Sequence, residues 1–217
     1  MCDRFSFVTS KKEIENHFDI EITNTLRISY NIAPTHHAYV VTNKNPKKIQ
    51  YLTWGLIPES SKDGTNKGKL IKARKEGIGG SPSFRMPVRS RRCLILADSF
   101  YEWSQEGMER KPHRIQMKDQ ALMIMAGVWD VWYKGDYAIK SFSIITTPSN
   151  EDMSVVSSRM PLIFDTKEKQ EKWLSDIPLT EVLDMLTTLD NGLLHIYRVS
   201  DIVNSIKYNS MDLHTAI

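Results

Sequence analysis

The stretch RRCLILADSFYEWSQ (residues 91–105) decides how the rest of the chain is read. Its first eight residues, 91–98, are rich in apolar and β-branched side chains, which predicts a strand. The same signature recurs in AYVVTN (38–43), KIQYLTW (48–54), HRIQMK (113–118), LMIMAGVWD (122–130), KSFSIITT (140–147) and LLHIYRV (193–199). Helical signals are fewer. In TSKKEIENHF (9–18), Ser10 stands three residues before Glu13, and Ile14 and Phe18 share a face, so a short capped helix is expected. Near the C-terminus, DTKEKQEKWL (165–174) places Asp165 and Glu168 at capping-box spacing, and PLTEVLDMLTTL (178–189) has apolar residues at helical intervals. Many strands, a few late helices and no strand–helix alternation predict an α+β fold, not a doubly wound sheet. No internal repeat is visible, and residues 1–217 are read as one domain.

Composition narrows the function classes. A chain of 217 residues with 41% hydrophobic side chains can bury a substantial core. No apolar run has the length of a membrane span, and DRFSFVTSKKE turns charged too soon for a secretion signal, so a cytoplasmic protein without membrane contact is expected. Two cysteines, Cys2 and Cys93, do not make a disulfide framework, and Cys93 is expected to be a buried thiol. Lys plus Arg exceed Asp plus Glu by only 29 to 26, so any basic site must be local. Six scattered histidines offer no metal-ligand spacing, and His36 and His37 have no partner at such spacing; no metal and no cofactor are expected.

The longest stretch without a hydrophobic period is 59–84, read as a basic loop carrying Lys67, Lys69, Lys72, Arg74 and Lys75. Arg85, Arg89, Arg91 and Arg92 extend this cationic stretch to the edge of a strand. Two readings fit it: a solvated surface loop, or a contact region for a single-stranded nucleic-acid backbone.

Two residues carry reactive chemistry. Glu102 stands between Tyr101 and Trp103 at the end of an apolar strand; flanking aromatics desolvate a carboxylate and fit it to proton transfer, whereas on an alternating strand it would simply face solvent. Cys2 directly follows the initiator Met1. Removal of Met1 would leave a thiol and an α-amine on one residue, with reference pKa values of about 8.5 and about 7.7–8.0. Such a pair traps aldehydes: the amine condenses to an imine, and the sulfur closes a five-membered thiazolidine intramolecularly. With Met1 retained, Cys2 would be inert.

The motifs MCDRF (1–5), YNIAP (30–34), TWGLIP (53–58), SFRMPVRSRRCLILADSFYEW (83–103), AGVWD (126–130), FSIITTPSN (142–150) and SRMP (158–161) together resemble the SOS response-associated peptidase (SRAP) family, the abasic site processing proteins. The resemblance implies a single compact α+β domain, mainly antiparallel sheet or open barrel with a few peripheral helices. It implies a thiazolidine crosslink between the mature N-terminal cysteine and the ring-opened aldehyde of an abasic site in single-stranded DNA. On that pattern Cys2 matches the nucleophile and Glu102 the proton-transfer glutamate. Arg4, Arg74, Arg85 and Arg159 match DNA-gripping positions, Trp54 lies near the DNA path, and Asn31 and Pro34 shape the pocket. The implied protein is a cytoplasmic monomer, nucleoid-associated when bound to DNA. The family name also covers a peptidase reading, which could amount to removal of the chain's own Met1.

Four positions depart from the family pattern. Asp3 replaces a glycine and sets a negative charge beside a polyanion site; Ser60 falls where a second tryptophan follows TWGLIP, leaving junction preference open. Lys72 replaces an asparagine and could pair with Glu102, hold a phosphate or act as a second amine. Ser157 replaces the histidine of H-x-R-M-P, which predicts impaired elimination at the lesion and impaired crosslink reversal. Two functions are therefore expected: a crosslinking abasic-site protein, or a degenerate relative that binds single-stranded DNA without the chemistry.

Overall fold

In the computed structural model, which describes residues 3–65 and 70–217, the 91–98 run forms a strand at Arg92–Ala97 in which all six residues are buried. Twelve strands occur among the described residues. They are β1 Arg4–Phe7, β2 Ser29–Ile32, β3 His37–Thr42, β4 Asn45–Trp54, β5 Lys72–Arg74, β6 Arg92–Ala97, β7 Ser99–Glu106, β8 Glu109–Met117, β9 Met123–Lys134, β10 Tyr137–Pro148, β11 Arg159–Pro161 and β12 Leu194–Arg198. The helices are α1 Lys11–Phe18, α2 Arg85–Ser90, α3 Glu151–Ser154, α4 Lys167–Leu174 and α5 Leu179–Asp184. None of them is long and apolar enough to cross a membrane.

The strands make two layers. One is a five-stranded antiparallel sheet in the order β12-β8-β7-β1-β2. The other closes on itself: β10 pairs with β4, β4 with β3, β3 with β6, β6 with β9, and β9 again with β10. Only the β4–β10 contact in this ring is parallel. Beyond the ring, the far end of β10 carries β5 and β11. The α+β expectation is thus met by a small barrel packed on an antiparallel sheet.

Aromatic residues join the layers. Phe5 of the sheet lies 5.0 Å from the Trp54 ring of the barrel, and Trp54 stacks on Phe142 at 6.5 Å and 8°. All three are fully buried, each removing on the order of 2–3 kcal/mol of apolar surface from water. Gly127 is required where β9 passes β10: a Cβ there would fall 2.3 Å from Ile95 Cδ1 and 2.7 Å from the Ser143 carbonyl.

Several expectations need correction. Residues 59–84 are not one loop, because β5 pairs parallel to β10 at Ile144–Thr146 and buries Ala73 completely. Three residues show no readable period; pairing with a long neighbour makes this strand. Lys67 and Lys69 fall outside the described residues. The helix α4 is capped by Thr166, whose hydroxyl accepts from Lys169 N, while Asp165 instead forms an ion pair with Lys169 at 2.7 Å. The helix expected over 178–189 ends at Asp184. The cationic stretch is also partly internal. Arg91 pairs with Asp130 and Glu59, and Arg92, 1% exposed, donates to the carbonyls of Val88, Arg89, Trp173 and Ser175 at the ends of α2 and α4. Cys93 is buried as expected, and desolvation pushes its thiol pKa up.

Candidate functional site

Glu102 sits on β7 opposite His113 of β8. Its neighbour strand on the other side is β1, with Arg4 opposite Tyr101 and Phe5 opposite Phe100. Strand alternation puts Glu102 on the face of Phe100, which packs between the layers, so the carboxylate lies at the end of the inter-layer core. It is 2% exposed, and Oε1 accepts from the Trp103 amide at 3.3 Å. The solvent-facing alternative for Glu102 is thereby ruled out.

Asp3 leads into β1. Its carboxylate accepts from Lys72 Nζ in an ion pair that links the end of the sheet to β5 on the barrel. The described ion pair of Lys72 is thus with Asp3, a partner the sequence reading does not name and another position that departs from the family pattern. Cys2 itself lies outside the described residues.

A second group forms around Asn31. Its Nδ2 donates to the carbonyls of Ser205 and Tyr208 at 3.0 and 2.9 Å, and its Oδ1 accepts from Arg4 Nη1 at 3.1 Å. Arg4 also donates to the carbonyls of Val203 (2.8 Å) and Asn204 (3.3 Å). Burial lowers the Arg4 pKa, with Asp3 acting the other way. Pro34 begins the tight turn that follows β2. Thr35, at φ 76°, donates its amide to the Trp54 carbonyl at 2.8 Å, and Trp54 N donates to the His36 carbonyl at 2.8 Å. This turn brings His36 close enough to Arg4 for burial and that charge to lower its pKa.

Of the remaining predicted residues, Arg74 and Arg159 flank the C-terminal half of β10. Arg74 is exposed on β5 opposite Thr146. Arg159 begins β11 opposite Pro148, and its guanidinium makes a two-pronged contact with Glu76, Nη1–Oε1 2.9 Å and Nη2–Oε2 3.0 Å. A third bond runs to the Thr146 carbonyl at 2.8 Å. The arginine holds the Glu76 carboxyl below the usual carboxylate range. Ser157 is half-buried just before β11, its hydroxyl accepting from Arg159 N at 3.4 Å. Arg85 stands exposed at the start of α2, on a helix packed against α5, β6 and β9.

Trp54 requires correction. Its ring is fully buried and its Nε1 donates to the Ile71 carbonyl at 2.9 Å, so the ring offers no open face to a base. Glu76 is not singled out by the sequence, and His36 is weighed there only as a metal ligand. Nothing in KEG marks Glu76 as the partner of an arginine 83 residues away, whereas His36, two residues after YNIAP, carried a positional signal. The apolar pocket of about 300 Å³ between α1 and α4, lined by Phe18, Leu94 and Leu174, shares no residue with this group.

Comparison with known proteins gives the family. The protein is 37% identical over 224 residues to the abasic site processing protein YoaM of Bacillus subtilis (strain 168), covering 98% of this chain and 97% of YoaM. It is 28% identical over 216 residues to the abasic site processing protein HMCES of Gallus gallus, covering 83% of this chain and 64% of that one. A crystal structure of a protein from Bacteroides thetaiotaomicron superposes with a TM-score of 0.84 at 27% identity, covering 93% of each chain. A Bordetella bronchiseptica protein shares the fold at a TM-score of 0.79 and 20% identity, over 92% of this chain and 100% of that one. The family description "SOS response associated peptidase (SRAP)" matches residues 1–206, and with the near full-length relatives this makes the chain a member of the SRAP family.

Proposed function

We propose that this chain processes abasic sites in single-stranded DNA by forming a covalent crosslink through Cys2 once Met1 has left. The supporting observation is the buried Glu102 beside the strand that leads directly from the N-terminus, in a chain similar over nearly its whole length to abasic site processing proteins. The α-amine of Cys2 adds to the lesion aldehyde, and loss of water gives an imine. The thiolate then adds to the imine carbon, the nitrogen takes up a proton, and a thiazolidine results. In this reading Glu102 donates the proton to the departing hydroxyl and recovers one on ring closure. Of the four arginines at DNA-gripping positions, Arg74 and Arg85 are exposed and available to phosphate; Arg4 and Asn31 hold the C-terminal carbonyls and so shape the site's wall.

Ser157 supplies no imidazole, so elimination at the lesion and crosslink reversal are expected to be slow. The second reading, DNA binding without chemistry, is favoured by the ion pair that Asp3 makes with Lys72 Nζ, which opposes use of that nitrogen as a second amine. One experiment separates the two. Protein is mixed with single-stranded DNA carrying one abasic site, and a denaturation-resistant adduct is sought on wild type, Cys2→Ala and Glu102→Gln. An adduct abolished by C2A and slowed about 10²-fold or more by E102Q is expected. No adduct, or one indifferent to C2A, leaves only the binding reading. N-terminal mass should show loss of Met1; its retention would remove the aminothiol.

A further inference from the structure

An aromatic column leaves the edge of the site on the outer face of the barrel. Tyr39 of β3 and Tyr51 of β4 are register partners, with ring centroids 4.7 Å apart. His37, in the diagonal cross-strand position, lies nearly parallel to Tyr51 at 5.2 Å and 25°. The column is anchored where Tyr39 meets the buried Phe7 ring at 5.0 Å, and it opens outward, with Tyr51 44% exposed and His37 exposed. Core packing accounts for the anchored end only.

The groove beside the column carries charge of one sign. A groove of about 360 Å³ beside Tyr51 is walled by Lys48 and Lys140, with no carboxylate among its lining residues. It exists because β10 pairs with β4 only at Ser141–Phe142, so that β4 and Lys140 diverge before that point. Exposed Arg27 donates its backbone amide to the Tyr39 hydroxyl at 2.8 Å, and its charge acts on Tyr51. The column is also continuous with the site. His37 follows His36, which feels the Arg4 charge, and its Nε2 lies 3.3 Å from the hydroxyl of Thr53, the neighbour of Trp54.

Flat exposed rings flanked by cations suit bases and phosphates of a single strand, since stacking is tolerant of sequence and the backbone is a polyanion. We propose that His37 and Tyr51, with Arg27, Lys48 and Lys140, form an extension of the DNA interface that takes the strand beyond the lesion. Bases stack on the open rings, and the lysines and Arg27 follow the phosphates. This rests on the DNA reading above and adds a surface to it.

The test is anisotropy binding of lesion-free oligothymidylates of about six and about 24 nucleotides to wild type, His37→Ala/Tyr51→Ala and Lys140→Glu, together with adduct yield on a short abasic oligonucleotide. The double variant should bind the long strand about ten-fold more weakly and the short strand unchanged. K140E, at an exposed position that cannot compromise folding, should lower the long-strand salt slope by about one. Long-strand binding within two-fold of wild type in both variants overturns the extension, as does an equal loss on short and long strands. A normal adduct with unchanged long-strand binding overturns the extension alone. Selective long-strand loss without any adduct upholds it while the crosslinking reading falls; a wild type that binds neither strand sinks both.

Discussion

At the residue scale, the departures at Asp3 and Lys72 turn out to be partners. A carboxylate at position 3 is unfavourable beside a polyanion, and an ammonium on β5 offsets it locally. Both side chains are partly exposed, 43% and 20%, so the pair is worth at most about 1 kcal/mol to stability; its consequence belongs to DNA binding. Asp3→Gly should strengthen single-stranded DNA binding a few-fold, because Lys72 then faces phosphate without that carboxylate. Lys72→Asn should weaken it by about five-fold, and because the gain from Asp3→Gly runs through Lys72 the double variant should stay near Lys72→Asn, a coupling of about 0.6 kcal/mol for a roughly three-fold gain. Additive effects in the anisotropy cycle would separate the two residues. Such pairs explain why the site was only half legible. Cys2 and Glu102 stand in motifs that can be read locally, but Asp3–Lys72 and Glu76–Arg159 join residues 69 and 83 positions apart. Pairing of β5 and β11 on β10 brings the second pair together, and the packing of sheet on barrel the first.

At the element scale, what could be read depended on whether a segment carries its own pattern. Strands β3, β4, β6, β8, β9, β10 and β12 are apolar or β-branched enough to show themselves. The short β1, β5 and β11 are made by pairing, and α2 (RMPVRS) has neither a capping side chain nor a long apolar stripe. Helix α2 holds because Pro87 and Val88 are buried and because Arg92 satisfies carbonyls at its C-terminal end. That one guanidinium also binds carbonyls at the end of α4, and its ring contact with Trp173 is 5.7 Å. Burial lowers its pKa without removing its charge. Arg92→Met would leave several buried acceptors without their donor and should cost roughly 3 kcal/mol. In a domain of this size that is a fall in Tm of about 6–12 °C. Adduct formation at low temperature should persist, and a Tm within about 2 °C of wild type would show that water replaces the donors.

At the scale of the whole molecule, the C-terminal segment is bound to the same sheet that presents the N-terminus. Asn31 and Arg4 hold its carbonyls, Leu213 is fully buried with Tyr101, Val199 and Val203, and Ile217 N donates to the Arg198 carbonyl at 3.1 Å. His214 enters this packing beside Arg114 and Asp98, with its Nε2 3.8 Å from the Asp98 carboxylate and its ring edge-on to Tyr30 at 4.8 Å. Burial, and then the Arg114 charge, lower its pKa to about 4, with Asp98 opposing. A depressed histidine contributes stability that is complete above the unfolded value of about 6.5 and is lost as pH falls from there towards 4, because the unfolded chain binds the proton first. Allowing for solvent screening, the loss over that interval is roughly 1–2 kcal/mol, or about 2–8 °C in Tm. His214→Gln should flatten the Tm profile between pH 7 and 4.5 relative to wild type while leaving it steep below pH 4, where the carboxylates titrate. Parallel wild-type and variant profiles would remove His214 as the source. Because Arg4 touches both the C-terminal carbonyls and the wall of the site, loosening of this segment at low pH should also slow adduct formation in wild type more than in H214Q.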